Sequence, residues 1–175
     1  KFGVEIDLRV DKSKIILNHE PFKSGDTLDD FLNHYKHGTL ILNIKEDGIE
    51  DDVIKSVKKA KVKSYFLLDV EFPYIFKCLK NRQKSIAIRF SENETIETAK
   101  LLKNKFKWLW IDTVTKLPLN KKNIRIISNF KSCLVCPERW GRPNQIDNYK
   151  KKMKLLNFTP DAVMTSLKYS KKWLS

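Results

Sequence analysis

The sequence predicts an α/β fold, a TIM-type (βα)8 barrel whose first strand is absent from this chain. Three observations predict it. Short apolar runs recur along the 175 residues, their starts spaced by roughly 20 to 30 residues after the first, which is the length of one βα unit. Helical patterns fill the gaps between them. Nearly every run ends in a polar residue, as strands that deliver side chains to one mouth of a parallel barrel do. No Gly/Ser linker or low-complexity break divides the chain, so residues 1–175 read as a single domain, N-terminally incomplete.

The runs are 4–10, 39–45, 65–70, 86–90, 108–114, 132–137 and 162–166. An extra run at 14–18 pairs locally with the first across an Asp11-Lys12-Ser13 turn. The helix opening at Leu28 has a cap at Asp26 or Thr27 and an apolar stripe of Leu28, Phe31, Leu32 and Tyr35. Helical spacing returns at 49–60, 71–80, 94–103 and 146–156. The stretch 117–130 reads as a short strand or a poor helix around Ile124, Ile126 and Ile127.

Glu5 and Asp7 lie two apart in the first run, and a strand turns residues i and i+2 to the same face. Two same-facing carboxylates repel unless a cation or proton lies between them. This predicts a divalent-metal site, with His19 a nearby acid/base candidate. The plainer reading is a salt bridge to Arg9, Lys45 or Arg89. Across the chain, the polar strand ends carry Asn43 and Lys45, Asp69, Arg89 and Ser91, Asp112, Glu138, Thr165 and Ser166. Asp7, Asp69, Asp112 and Glu138 make the predicted mouth acidic, and Lys45 and Arg89 among them suit a metal plus a phosphate.

The net charge is +14. It invites a nucleic-acid or anionic-surface reading, but a nucleic-acid surface would concentrate cations where this chain concentrates acids. Solvated helix faces account for most lysines. Cys78, Cys133 and Cys136 form no disulfide framework and suit a reducing, cytoplasmic setting. The Cys-x-x-Cys at 133–136 lies in an apolar run without a second pair and reads as packing, since zinc takes four ligands. Trp108 and Trp110 read as packing, and His34 and His37 as surface residues. No run of about 18 apolar residues predicts a membrane span.

The chain resembles the glycerophosphodiester phosphodiesterase family of (βα)8 barrels. Glu5-Ile6-Asp7, His19-Glu20 and Leu42-Asn43-Ile44-Lys45 correspond to that family's second-strand Glu-x-Asp, its later His-Asp and its third-strand Glu-x-Lys. Arg89-Phe90-Ser91-Glu92 and the stretch 136–142 resemble segments of an uncharacterised branch. The family's N-terminal His-Arg-Gly would precede the first residue here. Asn43 replaces a carboxylate ligand, and Glu20 an aspartate.

The resemblance implies that Glu5, Asp7 and Asn43 hold Mg2+ or Ca2+. His19 acts as acid/base, and Lys45 holds a phosphate oxygen. Arg89, Asp112, Glu138 and Trp140 are the expected substrate contacts; Trp140 could equally pack against the barrel rim. The expected activity is metal-dependent hydrolysis of a small glycerol- or sugar-linked phosphodiester, with no nucleic acid as partner. The alternatives are a catalytically impaired barrel that binds or scaffolds and, on charge alone, a nucleic-acid-binding protein.

Overall fold

The computed structural model describes residues 2–174 and divides into two compact units, Lys1–Ile86 and Ala87–Ser175. The first unit contains β1 (Val4–Asp11), β2 (Lys14–Leu17), α1 (Leu28–His34), β3 (Leu40–Ile44), α2 (Glu50–Lys59), β4 (Tyr65–Leu68) and α3 (Phe72–Asn81). Its sheet has the order β2-β1-β3-β4 and is mixed: β2 runs antiparallel to β1, the others parallel. An isolated parallel bridge pairs Leu67 with Ile86.

The second unit contains β5 (Ala87–Phe90), α4 (Ile96–Leu102), β6 (Trp108–Ile111), α5 (Lys121–Ile127), β7 (Lys131–Val135), α6 (Ile146–Leu155), β8 (Ala162–Met164) and α7 (Leu167–Ser170). Short 3-10 turns lie at Pro137–Trp140, Pro143–Gln145 and Lys171–Trp173. Its sheet is parallel in the order β5-β6-β7-β8.

The expected closed eight-stranded barrel is therefore corrected to two four-stranded sheets. Part of the reason is at β1. The Asp11–Lys14 hairpin folds β2 back along its edge, with Leu8 opposite Leu17 and Arg9 opposite Ile16. That edge is thus spent on an antiparallel neighbour, and a parallel barrel cannot close through it. Glu5 and Asp7 stand on β1 of the first sheet with Lys45 just after β3, and Asp112 follows β6 in the second unit.

Local chemistry explains the elements. Thr27 caps α1 by accepting the Asp30 N–H at 3.1 Å. The ambiguous stretch before Phe130 becomes α5 because Asn120 and Asn123 form a reciprocal capping box: Asn120 accepts the N–H groups of Lys122 and Asn123, and Asn123 accepts that of Asn120. Gly25 lets the chain return beside β2; a Cβ there would collide with the Leu17 carbonyl oxygen.

In the first unit Ile6, Leu8, Leu40, Leu42 and Ile44 are buried with Val53 and Val57 of α2. In the second, Trp108, Leu109, Trp110, Ile111 and Leu134 are buried with Ile127, Ile146 and Met153. Leu42 is fully buried. Leu42→Ala is expected to cost about 2–5 kcal/mol, the range for a core leucine that leaves a cavity, read as a lower urea midpoint with unchanged slope.

Candidate functional site

The parallel register of β1 and β3 sets Glu5 opposite Ile41 and Asp7 opposite Asn43. The same strand faces therefore collect Glu5, Asp7 and Arg9 from β1, and Asn43 with the following Lys45 from β3. Asn43 is only 6% exposed. Its Nδ2 donates to Glu5 Oε1 at 2.9 Å. A carboxylate only accepts, so this contact settles which end of the amide faces Glu5. It leaves Asn43 Oδ1 buried without a hydrogen bond, and Asp7 Oδ1 is likewise buried without one.

Lys45 supplies the local positive charge. Its Nζ lies 3.5 Å from Asp7 Oδ1 and 3.3 Å from Asp69 Oδ2. Asp69 follows β4 with φ of 56°, a left-handed conformation that aspartate tolerates better than most residues. Such backbone is held only where its surroundings over-determine it, and here it accompanies the contact with Lys45.

Arg9 ties the site's segments together. Its Nε donates to the His19 carbonyl and its Nη1 to the Lys45 carbonyl, both at 2.9 Å. The Asn18 N–H donates to the Asp7 carbonyl at 3.0 Å. The loop that carries His19 is thus pinned at two points beside the acidic strand end. His19 itself is exposed, with its Nδ1 2.8 Å from Glu20 Oε1. An ionised Glu20 can only accept, so Nδ1 carries the hydrogen and Nε2 is left to exchange a proton with a ligand. A cavity of about 400 Å3 opens next to this loop, bounded by Arg9, Lys12, Phe22, Lys23 and Glu46. Phe22 is fully exposed, with φ of 59°.

The oxygens of Glu5, Asp7 and Asn43 are the hard donors that Mg2+ or Ca2+ takes; Asn43 Oδ1 is buried without a hydrogen bond, and Asp7 Oδ1 has only the Lys45 ammonium 3.5 Å away. Together these three residues would bring two charges where three carboxylates would bring three, and Asn43 turns its Nδ2 rather than its oxygen to Glu5. Among the described residues no group of three or more His, Cys, Asp and Glu side chains forms a metal cluster.

The remaining expected site residues belong to the second unit. Asp112 is 5% exposed and accepts from Arg89 Nη2 at 3.0 Å, Trp140 Nε1 at 2.8 Å and the Thr113 N–H at 2.8 Å. Arg89 Nε also donates to Glu94 Oε1 at 2.8 Å. Arg89, Asp112 and Trp140 are thus brought together as one hydrogen-bonded cluster. Arg142 adds donations to the carbonyls of Thr113 and Val114. Glu138 has a different set of partners: its Oε1 accepts the Ser166 N–H at 2.7 Å and the Thr165 hydroxyl at 3.2 Å. Glu92 accepts the Thr115 N–H. Burial raises its pKa, but backbone hydrogen bonds and the Thr115 hydroxyl outweigh it and hold the carboxyl below its ordinary range.

The sequence offered Arg9 only as a salt-bridge partner for Glu5 and Asp7, whereas its guanidinium goes to the His19 and Lys45 carbonyls. Glu94 carried no signal, because it reaches Arg89 from the turn before α4. Family models, curated proteins and solved structures were compared with the chain, and none matches it.

Asp112→Ala is expected to cost roughly 3 kcal/mol, the lower end for removing one partner of a buried ion pair, because Arg89 keeps partial solvent contact and Glu94. Urea unfolding checks the magnitude. A changed Trp140 emission in the folded state, read in a background without the other three tryptophans, checks the loss of the indole contact.

Proposed function

We propose that the first unit is the hydrolytic site of a metal-assisted phosphodiesterase acting on a small glycerol- or sugar-linked phosphodiester. The observation that carries this reading is the buried, hydrogen-bond-free pair of oxygens on Asp7 and Asn43, set beside Lys45 and a pinned His19 loop. Glu5, Asp7 and Asn43 are the residues that would hold Mg2+ or Ca2+. When bound, the cation supplies Lewis-acid stabilisation of negative charge on the phosphoryl oxygens.

The chain's own residues do the rest. The Lys45 ammonium, already facing two carboxylates, turns one of its three donors to a non-bridging phosphate oxygen. Water adds to phosphorus, the bond to the alcohol oxygen breaks, and the proton that the water gives up to solvent balances the one that later restores the His19 imidazolium. The His19 imidazolium gives its Nε2 proton to that leaving alkoxide, while Glu20 on Nδ1 orients the ring. Arg9 takes no part in the proton transfer; it holds the His19 loop against the end of β3. The cavity bounded by Phe22 and Lys12 offers room for the alcohol.

A second reading has its own support. Lys45 between Asp7 and Asp69 is a standing counter-charge, and Asn43 already satisfies Glu5. Such a site is balanced without a cation and suits a module that has lost catalysis and kept binding. In both readings the partner is a small anion rather than nucleic acid, and three reduced, buried cysteines suit the cytoplasm. No helix among the described residues is long and apolar enough to cross a membrane.

His19→Ala is expected to lower hydrolysis of a glycerophosphodiester panel by about 100- to 10,000-fold with an unchanged melting temperature. Turnover within a few-fold of the parent removes His19 from the mechanism.

Asn43→Glu separates the two readings. For the enzyme, calorimetric titration gives weak Mg2+ or Ca2+ binding in the parent and tighter binding in the variant, because affinity rises with ligand charge. For the module, the parent shows no cation heat, and the variant melts lower because a third carboxylate crowds Glu5.

A further inference from the structure

The excess charge is not spread evenly. Residues 1–86 hold 16 Lys and Arg against 14 Asp and Glu, whereas residues 87–175 hold 19 against 7. Nearly all of the surplus thus belongs to the second unit, whereas the residues of the proposed hydrolytic site belong to the first. Within that unit the lysines gather on α6 (Lys150, Lys151, Lys152, Lys154) and on the segment after β8 (Lys168, Lys171, Lys172). Lys150 Nζ donates to the Lys172 carbonyl at 2.7 Å, which brings the two segments together. Lys152 is occupied by the Leu117 carbonyl. Lys151, Lys154, Lys168 and Lys171 are exposed, and among the described residues none has a carboxylate within ion-pair distance.

Apolar side chains stand among these cations. Leu155 is 84% exposed, Leu167 79% and Leu174 73%. Leu155 adjoins Lys154, Leu167 adjoins Lys168, and Leu174 follows Lys171 and Lys172 by two or three positions. A lone exposed leucine needs no explanation. Three on one lysine-rich pair of segments form the combination that an anionic bilayer accepts: ammonium groups at the phosphates and leucines in the acyl boundary. A nucleic-acid backbone would use the lysines and leave the leucines in water.

We propose that the α6 face and the segment 167–174 form a peripheral docking surface for anionic phospholipid membranes. The surface stands independently of the hydrolytic reading. Its charge supplies long-range attraction, and its leucines supply a short-range component that salt does not screen.

The test is co-sedimentation of the whole chain with vesicles of phosphatidylcholine alone or mixed with phosphatidylserine, at low and high salt. The expected result is binding to the mixed vesicles only, weakened by salt. Replacing Lys151, Lys154, Lys168 and Lys171 together with Gln is expected to lower the partition coefficient by about 600-fold, since each lysine near the surface contributes about fivefold. Leu155→Ser with Leu167→Ser is expected to lower it about tenfold or more. All six side chains are exposed, so melting temperatures are expected to stay at the parent value. A single-stranded RNA of mixed sequence serves as the competing probe. No binding to anionic vesicles overturns the proposal, as does vesicle binding that ignores the leucines. RNA binding that depends on the four lysines while vesicles are ignored overturns it in favour of a nucleic-acid surface.

Discussion

The first unit's polar site depends on the register between β1 and β3. Side chains alternate along a strand with a period of two, so a one-residue slip would send Asn43 and Lys45 to the face where Leu42 now packs and drive Leu42 among the carboxylates. Burial of Leu40, Leu42 and Ile44 against Ile6, Leu8 and the helix residues forbids that slip. The apolar face selects the register, and the register assembles Glu5, Asp7, Asn43 and Lys45.

Arg9 extends this arrangement beyond the sheet. Its guanidinium is a rigid fork of donors, and here two of them reach backbone carbonyls from separate segments. Those carbonyls belong to the loop of His19 and to the end of β3. Backbone contacts of this kind place a loop without spending the charge of Lys45 or the imidazole of His19. The left-handed backbone at Asp69 and Phe22 lies in the same neighbourhood as the pinned loop and the lysine contact, consistent with strain concentrated where geometry is over-determined.

The second unit uses its charges differently. Asp112 is buried and accepts from a guanidinium, an indole and a backbone amide, the full complement that keeps a buried carboxylate from being costly. Glu138 is tied to the residues after β8 in the same manner. These acids are matched inside the fold, whereas the lysines of α6 and the terminal segment face outward. That contrast separates charge used for internal cohesion from charge left on the surface.

Much of the local structure was determined by the sequence itself. Period-two and helical spacing placed the strands and most helices, the Asp11-Lys12-Ser13 turn announced the β1–β2 hairpin, and the i+2 spacing of Glu5, Asp7 and Arg9 put them on one face. These are short-range properties, set by sterics and by which side of an element must leave water. Tertiary structure alone decided the rest. Whether a sheet closes depends on which edges find partners, and local periodicity is identical in open and closed sheets; β2 on the edge of β1 was legible, its consequence for closure was not. Asp112 met Arg89 and Trp140 only because neighbouring parallel strands and the turn after β7 converge there. The amide of Asn43 turned its nitrogen to Glu5 only once the register had set them close, since the hydrogen bond that orients it spans 38 residues of chain.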